Sequence, residues 1–147
     1  MSEAIRSARV AVLASGRGSN LAALLAAERD GRLGAEIALV LSDRADALAL
    51  DRARSAGKAA RVVDPGPSKS RLSSEAEQSL VALLQAERID VVALAGFMRI
   101  VGSGLLAAFP ERVLNIHPSL LPAFPGLNAQ RQAWAAGVRF AGCTVHF

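Results

Sequence analysis

The chain has 147 residues, 52% of them hydrophobic, which is enough for one buried core and too apolar for a disordered protein. No apolar run reaches the roughly 18 residues of a membrane-spanning helix, and the polar residues 1–9 lack the apolar stretch of a secretory signal. The net charge of +4 is spread from Arg6 to Arg139 rather than gathered in a patch, which favours small anionic ligands over nucleic acid.

Apolar runs alternate with segments of helical period along the chain. The first half predicts, in chain order, a strand at 9–14, a helix from Asn20 to near Gly31, a strand at 36–41, a helix from Asp46 to Gly57 and a strand at 61–63. After a loop at Pro65-Gly66-Pro67, the second half predicts a helix from Ser74, a strand at 90–95, a helical turn or two at 105–109, a strand at 112–116, a helix at 129–136 and a strand at 143–147.

This alternation predicts an α/β fold, with a mostly parallel twisted sheet covered by helices on both faces. Ser74 and Glu77 form a capping-box pattern at the start of the third helix. We expect a single domain at residues 1–147. Because the chain stops at Phe147 inside a predicted strand, we expect that domain to lack its C-terminal part.

A glycine-rich turn, Ser15-Gly16-Arg17-Gly18-Ser19-Asn20, joins the first strand to the first helix. Free N–H groups at a helix start attract anions. The alternative is a capped tight turn, with Ser19 or Asn20 as the cap. A dinucleotide fingerprint would need a third glycine where Leu21 stands, so the turn suits a phosphate monoester better than a pyrophosphate.

The segment Gly96-Phe97-Met98-Arg99-Ile100-Val101 follows the fourth strand. Apolar side chains next to a cation predict a slot with a charged lip, which suits a flat heterocycle. The alternative is that the Phe and Met are ordinary core residues.

Asn115 and His117 lie two residues apart at the end of the fifth strand, so they point to the same side. An Asn N–H can stabilise a developing oxyanion, and a His can move a proton. The alternative is a His that satisfies its own loop and an Asn that pins a turn. His146 has no such partner nearby in sequence, and we interpret it as structural.

Two histidines and one cysteine make a metal site improbable, and no Gly-x-Ser-x-Gly elbow indicates a serine nucleophile. Cys143 alone excludes an internal disulfide and fits a reducing, cytoplasmic setting. The glycine turn, the 96–101 segment and the Asn115 region all follow parallel strands, so all three should lie at one carboxyl edge of the sheet, where such folds bind ligands.

Three segments give the chain a family resemblance: residues 15–21, residues 94–100, and Asn115-Ile116-His117-Pro118-Ser119-Leu120-Leu121-Pro122 with Pro125-Gly126. With these, and with residues 142–147, the chain resembles the folate-dependent formyltransferases, whose fold is Rossmann-like. The resemblance implies formyl transfer from 10-formyltetrahydrofolate to the amine of 5'-phosphoribosylglycinamide in purine (IMP) biosynthesis, by a monomer or homodimer without a metal. It also implies that the phosphate is held by Gly18, Ser19 and Asn20, that catalysis rests on Asn115 and His117, and that folate is bound by Arg71, Met98, Arg99, Ile100, Val101 and Asn115.

The chain departs from the family pattern in two places, and four alternative functions remain open. Asn128-Ala129-Gln130 replaces a stretch that carries histidines in some relatives. The family's catalytic aspartate would lie after Phe147, so we expect these 147 residues alone to catalyse poorly. The rivals are a formyltetrahydrofolate hydrolase, a methionyl-tRNA formyltransferase, a nicotinamide-dependent oxidoreductase fragment and a non-catalytic binding protein.

Overall fold

The computed structural model describes residues 6–147; residues 1–5, part of the polar N-terminal segment, lie outside the described residues. Strands and helices alternate as the sequence predicts. The strands are β1 (Ala8–Leu13), β2 (Ala35–Ser42), β3 (Ala59–Val62), β4 (Val91–Leu94), β5 (Val113–His117) and β6 (Thr144–His146). The helices are α1 (Ser19–Arg29), α2 (Leu48–Ser55), α3 (Ser74–Ala86), α4 (Ser103–Ala108) and α5 (Ala129–Ala135).

The six strands form one sheet in the order β3-β2-β1-β4-β5-β6. The first five are parallel, and β6 pairs with β5 in the antiparallel sense. The chain moves outward from β1 to β3, then returns to the other side of β1 to place β4. The expected α/β class is therefore confirmed, and the strand order reverses between β1 and β4. That reversal opens a crevice at the carboxyl ends of these two strands.

Apolar side chains cover both faces of the sheet, as expected for buried parallel strands. On one face, Leu13, Leu41 and Val92 pack with Leu80 and Leu84 of α3 and Leu105 of α4. On the other face, the strands pack against the apolar sides of α1 and α2. Within residues 6–147, no helix combines the length and the apolarity needed to cross a bilayer.

The start of α3 differs from the predicted capping box. Ser73 is the N-cap, and its Oγ accepts a hydrogen bond from the Ala76 N–H at 3.1 Å. The Glu77 carboxylate instead accepts from the Gly102 N–H at 2.5 Å, at the start of α4. The capping-box prediction was wrong because the helix begins at Ser74, one residue earlier than a Ser74 cap requires, and Glu77 is turned toward α4.

Ser73→Ala is expected to lower the free energy of unfolding by about 1 kcal/mol, because it removes the cap of α3. Ser74→Ala is the matched control, since Ser74 is the first helical residue and does not cap. Urea unfolding of both variants measures the difference. Equal losses in the two variants would contradict the assigned cap.

The hydrogen bonds around Asp90 predict that the stability of the protein depends on pH. Hydrogen bonds from the Arg6 guanidinium, at 2.7 and 2.8 Å, and from the Arg9 N–H lower the pKa of its carboxyl. A lowered native pKa adds stability above the unfolded value of about 3.9, and that stability is lost as the pH falls through the native pKa. Asp90→Asn should therefore destabilise the protein at pH 7. It should have little effect at a pH low enough to protonate the Asp90 carboxyl in both the folded and the unfolded state. A loss that stays constant from pH 7 to acid pH would contradict this.

Candidate functional site at the carboxyl edge of the sheet

The glycine-rich turn between β1 and α1 lies against α2. Gly18 is the N-cap of α1 with φ 69°, and a Cβ there would lie 2.8 Å from the Ala49 Cα. The Ala49 N–H donates to the Gly16 carbonyl at 3.1 Å, and Arg52 Nε donates to the Arg17 carbonyl at 2.7 Å. No side chain caps α1, so the capped-turn alternative is not observed. The first N–H groups of the helix therefore remain available to an anion.

A cavity of about 480 Å³ opens above this turn. Its wall includes Gly18, Ser19 and Asn20, the predicted phosphate-binding residues. Four cationic side chains and one carboxylate also line it: Arg17, Arg44, Lys69, Arg99 and Asp43. The excess of positive charge suits a phosphate dianion. Sequence reasoning missed Asp43, Arg44 and Lys69, although Asp43 and Arg44 directly follow β2 at the same edge.

The predicted apolar slot divides into exposed and buried parts. Met98 and Ile100 are 64% and 57% exposed, so they are not core residues. Phe97 and Val101 pack against the core. The backbone of Arg71 pairs with that of Ile100 in an isolated parallel bridge, which brings this exposed arginine to the slot.

The Arg99 guanidinium does not form a free charged lip. Its Nε donates to Asp43 at 2.6 Å, and its Nη1 donates to the Ser68 carbonyl. The side chains of Arg99 and Asp43 are 16% and 2% exposed. Any ligand contact by Arg99 would therefore use its backbone unless this buried pair opens.

Asn115 and His117 lie at the carboxyl end of β5 but do not contact each other through a hydrogen bond. His117 Nε2 lies 2.9 Å from the Phe124 carbonyl oxygen. A carbonyl only accepts, so Nε2 carries the proton and the Nδ1 lone pair remains available in the neutral ring. One ring nitrogen of His117 thus bonds to its own loop, as the alternative interpretation expects. The other ring nitrogen remains available to accept a proton.

His146 is the partner that the sequence did not reveal for Asn115. The antiparallel register places His146 opposite Asn115, with the Asn115 Nδ2 3.3 Å from His146 Nε2. Because an amide nitrogen only donates, His146 Nε2 accepts, while its Nδ1 donates to the Phe147 carbonyl at 2.9 Å. His146 therefore fixes the orientation of the Asn115 amide. The sequence would have revealed this pairing only if the antiparallel direction of β6 had been known.

The strand register brings the three segments to one edge. Leu13 pairs with Leu94, and Leu94 pairs with Asn115. Beyond this row, the Ser15 N–H donates to the Gly96 carbonyl at 3.1 Å. With neighbouring strands about 4.8 Å apart, β5 lies about 10 Å from β1. The glycine turn and the Asn115 region are therefore neighbours, although the lining of the phosphate-sized cavity does not include Asn115 or His117.

The glycine-rich turn does not line two other cavities of the molecule. One of about 820 Å³ lies between α1 and α2, and its charged lining includes the Lys58–Glu28 ion pair at 2.7 Å. One of about 420 Å³ is mainly apolar, next to Trp134 and Phe140. Among residues 6–147, no three metal-ligating side chains cluster. The carboxyl edge between β1 and β5 is therefore the candidate site.

Comparison with known proteins matches residues 8–147 to the family described as formyl transferase. The chain belongs to the formyl transferase family. It is 38% identical over 139 residues to phosphoribosylglycinamide formyltransferase of Bacillus subtilis, covering 95% of this chain and 70% of that one. It is 46% identical over 142 residues to the human trifunctional purine biosynthetic protein adenosine-3, covering 97% of this chain and 14% of that one.

A solved formyl transferase has the same fold. The crystal structure of glycinamide ribonucleotide transformylase 1 from Symbiobacterium toebii matches with a TM-score of 0.89 and 55% identity, over 96% of this chain and 66% of that chain. The chain therefore spans about two thirds of the length of these two bacterial relatives, and 10% of the trifunctional purine biosynthetic protein adenosine-3 of Drosophila melanogaster.

Proposed function

We propose that this formyl transferase moves the formyl group of 10-formyltetrahydrofolate to the amine of 5'-phosphoribosylglycinamide, a step of purine biosynthesis. The observation that carries the proposal is the basic, glycine-walled cavity at the same sheet edge as Asn115 and His117. The relatives named phosphoribosylglycinamide formyltransferase support this choice of substrates. We also propose a cytoplasmic location, where a lone Cys143 stays reduced.

The substrate phosphate would bind at the start of α1. The N–H groups of Ser19 and Asn20 lie in the first turn, where the helix dipole favours negative charge. Arg17 and Lys69 line the same cavity and add positive charge. Arg44 adds less, because its guanidinium also binds Asp46 at 2.8 Å and lowers the pKa of that carboxyl. The ribose and glycinamide would then extend toward β5.

The folate would bind along the exposed apolar side chains of Met98 and Ile100, with Val101 and Asn115 at the inner end. The pterin ring is flat and apolar on its faces, and its edges can bind backbone groups of residues 98–101. Arg71 pairs with this segment through its backbone and keeps its side chain exposed. It is therefore placed to bind a carboxylate of the folate tail.

Formyl transfer then requires one bond to form and one to break. The amine nitrogen attacks the formyl carbon, and the carbonyl electrons move to oxygen, giving a tetrahedral centre with an oxyanion and an ammonium nitrogen. Asn115 Nδ2 donates to the oxyanion. His117 Nδ1 takes the ammonium proton and returns it to folate N10 as the carbon–N10 bond breaks. The products are the formylated amine and tetrahydrofolate.

An assay with both substrates tests the proposal. Wild-type protein should form tetrahydrofolate only when 5'-phosphoribosylglycinamide is present, with one formyl group transferred per tetrahydrofolate. Release of formate at the same rate without the amine substrate would instead identify a formyltetrahydrofolate hydrolase. No turnover, together with no binding of either substrate, would reject the proposed site.

A further inference from the structure

We propose that Ser15 and Asp43 are positioning residues that hold the phosphate turn and the folate-binding segment 97–101 in their binding shapes at the same time. This inference rests on the proposed function and goes further. It makes the two half-sites, which are the phosphate turn and the folate-binding segment 97–101, depend on one buried hydrogen-bond network. Neither residue is placed in contact with the reacting atoms.

The Ser15 hydroxyl connects the two segments directly. Its Oγ donates to Asp43 Oδ1 at 2.5 Å and accepts from the Met98 N–H at 2.8 Å. Ser15 opens the glycine turn, and Met98 is the first exposed apolar residue of the folate segment. Ser15 is 4% exposed, so this contact is shielded from water. A change at Ser15 therefore reaches both half-sites.

The Asp43 carboxylate extends the connection to two further loops. Its other oxygen accepts from Arg99 Nε at 2.6 Å, and Arg99 also donates to the Ser68 carbonyl. The network thus ties together the segments that follow β1, β2 and β4 and the loop that precedes Arg71. Asp43 is almost fully buried, and the Arg99 cation compensates its charge.

Such a network acts by preorganisation. A binding loop that is already held in its bound shape loses less conformational freedom when the ligand arrives. Removing the shared hydroxyl should free the phosphate turn and the Met98 backbone together. Both ligands would then bind more weakly, because both segments lose the shared hydrogen bonds that hold them.

Ser15→Ala is the primary test, because it removes the hydroxyl without changing any charge in the cavity. Ser42→Ala is the matched control: Ser42 is equally buried, and its Oγ accepts from the Arg44 N–H at 3.1 Å without joining the two half-sites. The dissociation constants of inorganic phosphate and of folic acid are measured separately by calorimetry, and thermal unfolding is recorded for each variant.

The expected result is that Ser15→Ala weakens both probes by about fivefold, the loss of roughly one hydrogen bond, while Ser42→Ala changes neither. Arg99→Lys, which keeps the charge but cannot span Asp43 and Ser68, should weaken both probes in the same direction. The inference is overturned if Ser15→Ala weakens only phosphate, weakens neither probe, or matches Ser42→Ala in every respect. A wild-type protein that binds neither probe would reject the proposed function and this inference with it.

Discussion

Gly18→Ala is expected to weaken phosphate binding at least tenfold. An alanine at φ 69° raises the backbone conformational free energy by about 1–2 kcal/mol. Its Cβ would also lie 2.8 Å from the Ala49 Cα, closer than two non-bonded carbon atoms can approach. The turn must therefore move away from α2. That movement rotates the N–H groups of Ser19 and Asn20, to which we propose that the phosphate binds. A loss of 1.4 kcal/mol in binding corresponds to about tenfold in Kd.

Gly16→Ala provides the matched control two residues earlier in the same turn. A Cβ at Gly16 would meet no atom within 4 Å, and Gly16 is not among the glycines with positive φ. Calorimetric titration with inorganic phosphate should therefore show nearly normal binding by Gly16→Ala and greatly weakened binding by Gly18→Ala. Equal affinities in the two variants would mean that the phosphate binds elsewhere.

The largest effect on turnover is expected at the end of β5. Asn115→Ala should lower kcat by about 10²–10³-fold, the usual cost of removing one oxyanion donor. His117→Ala should lower kcat by about 10²–10⁴-fold, since it removes the group that we propose moves the proton. Neither residue lines the phosphate cavity, so phosphate affinity should stay within about twofold of wild type in both variants.

Single-turnover formyl transfer measures these losses without interference from product release. The double variant should lose much less than the product of the two single losses, because we propose that both groups act on one tetrahedral intermediate. Strictly multiplicative losses, or a kcat near wild type in His117→Ala, would show that the two residues do not act together on the reacting carbonyl.

The sequence predicted most of the fold because its signals are local. Each buried strand is a short apolar run, and each helix repeats its apolar residues at helical spacing. The position of the candidate site was predicted from the same signals, because parallel strands share one carboxyl edge. The glycine turn and Asn115 could thus be placed on that edge before any contact was known.

The contacts that complete the site are long-range, and local patterns do not specify them. Asp43 is 56 residues from Arg99 in sequence, and Asn115 is 31 residues from His146. The sequence predicted an exposed Arg99 charge at the edge of the apolar slot, because an isolated arginine is usually exposed. The direction of β6, which turns His146 toward Asn115, depends on the whole connection between β5 and β6.

A crystal structure of the protein with inorganic phosphate and folic acid bound together would show directly whether both ligands share one site at the carboxyl edge. We predict phosphate on the N–H groups of Ser19 and Asn20, and the pterin ring against residues 98–101 with the folate N10 atom facing Asn115 and His117. Phosphate in the groove between α1 and α2, or a pterin ring beside Trp134 and Phe140, would contradict a single site at the carboxyl edge.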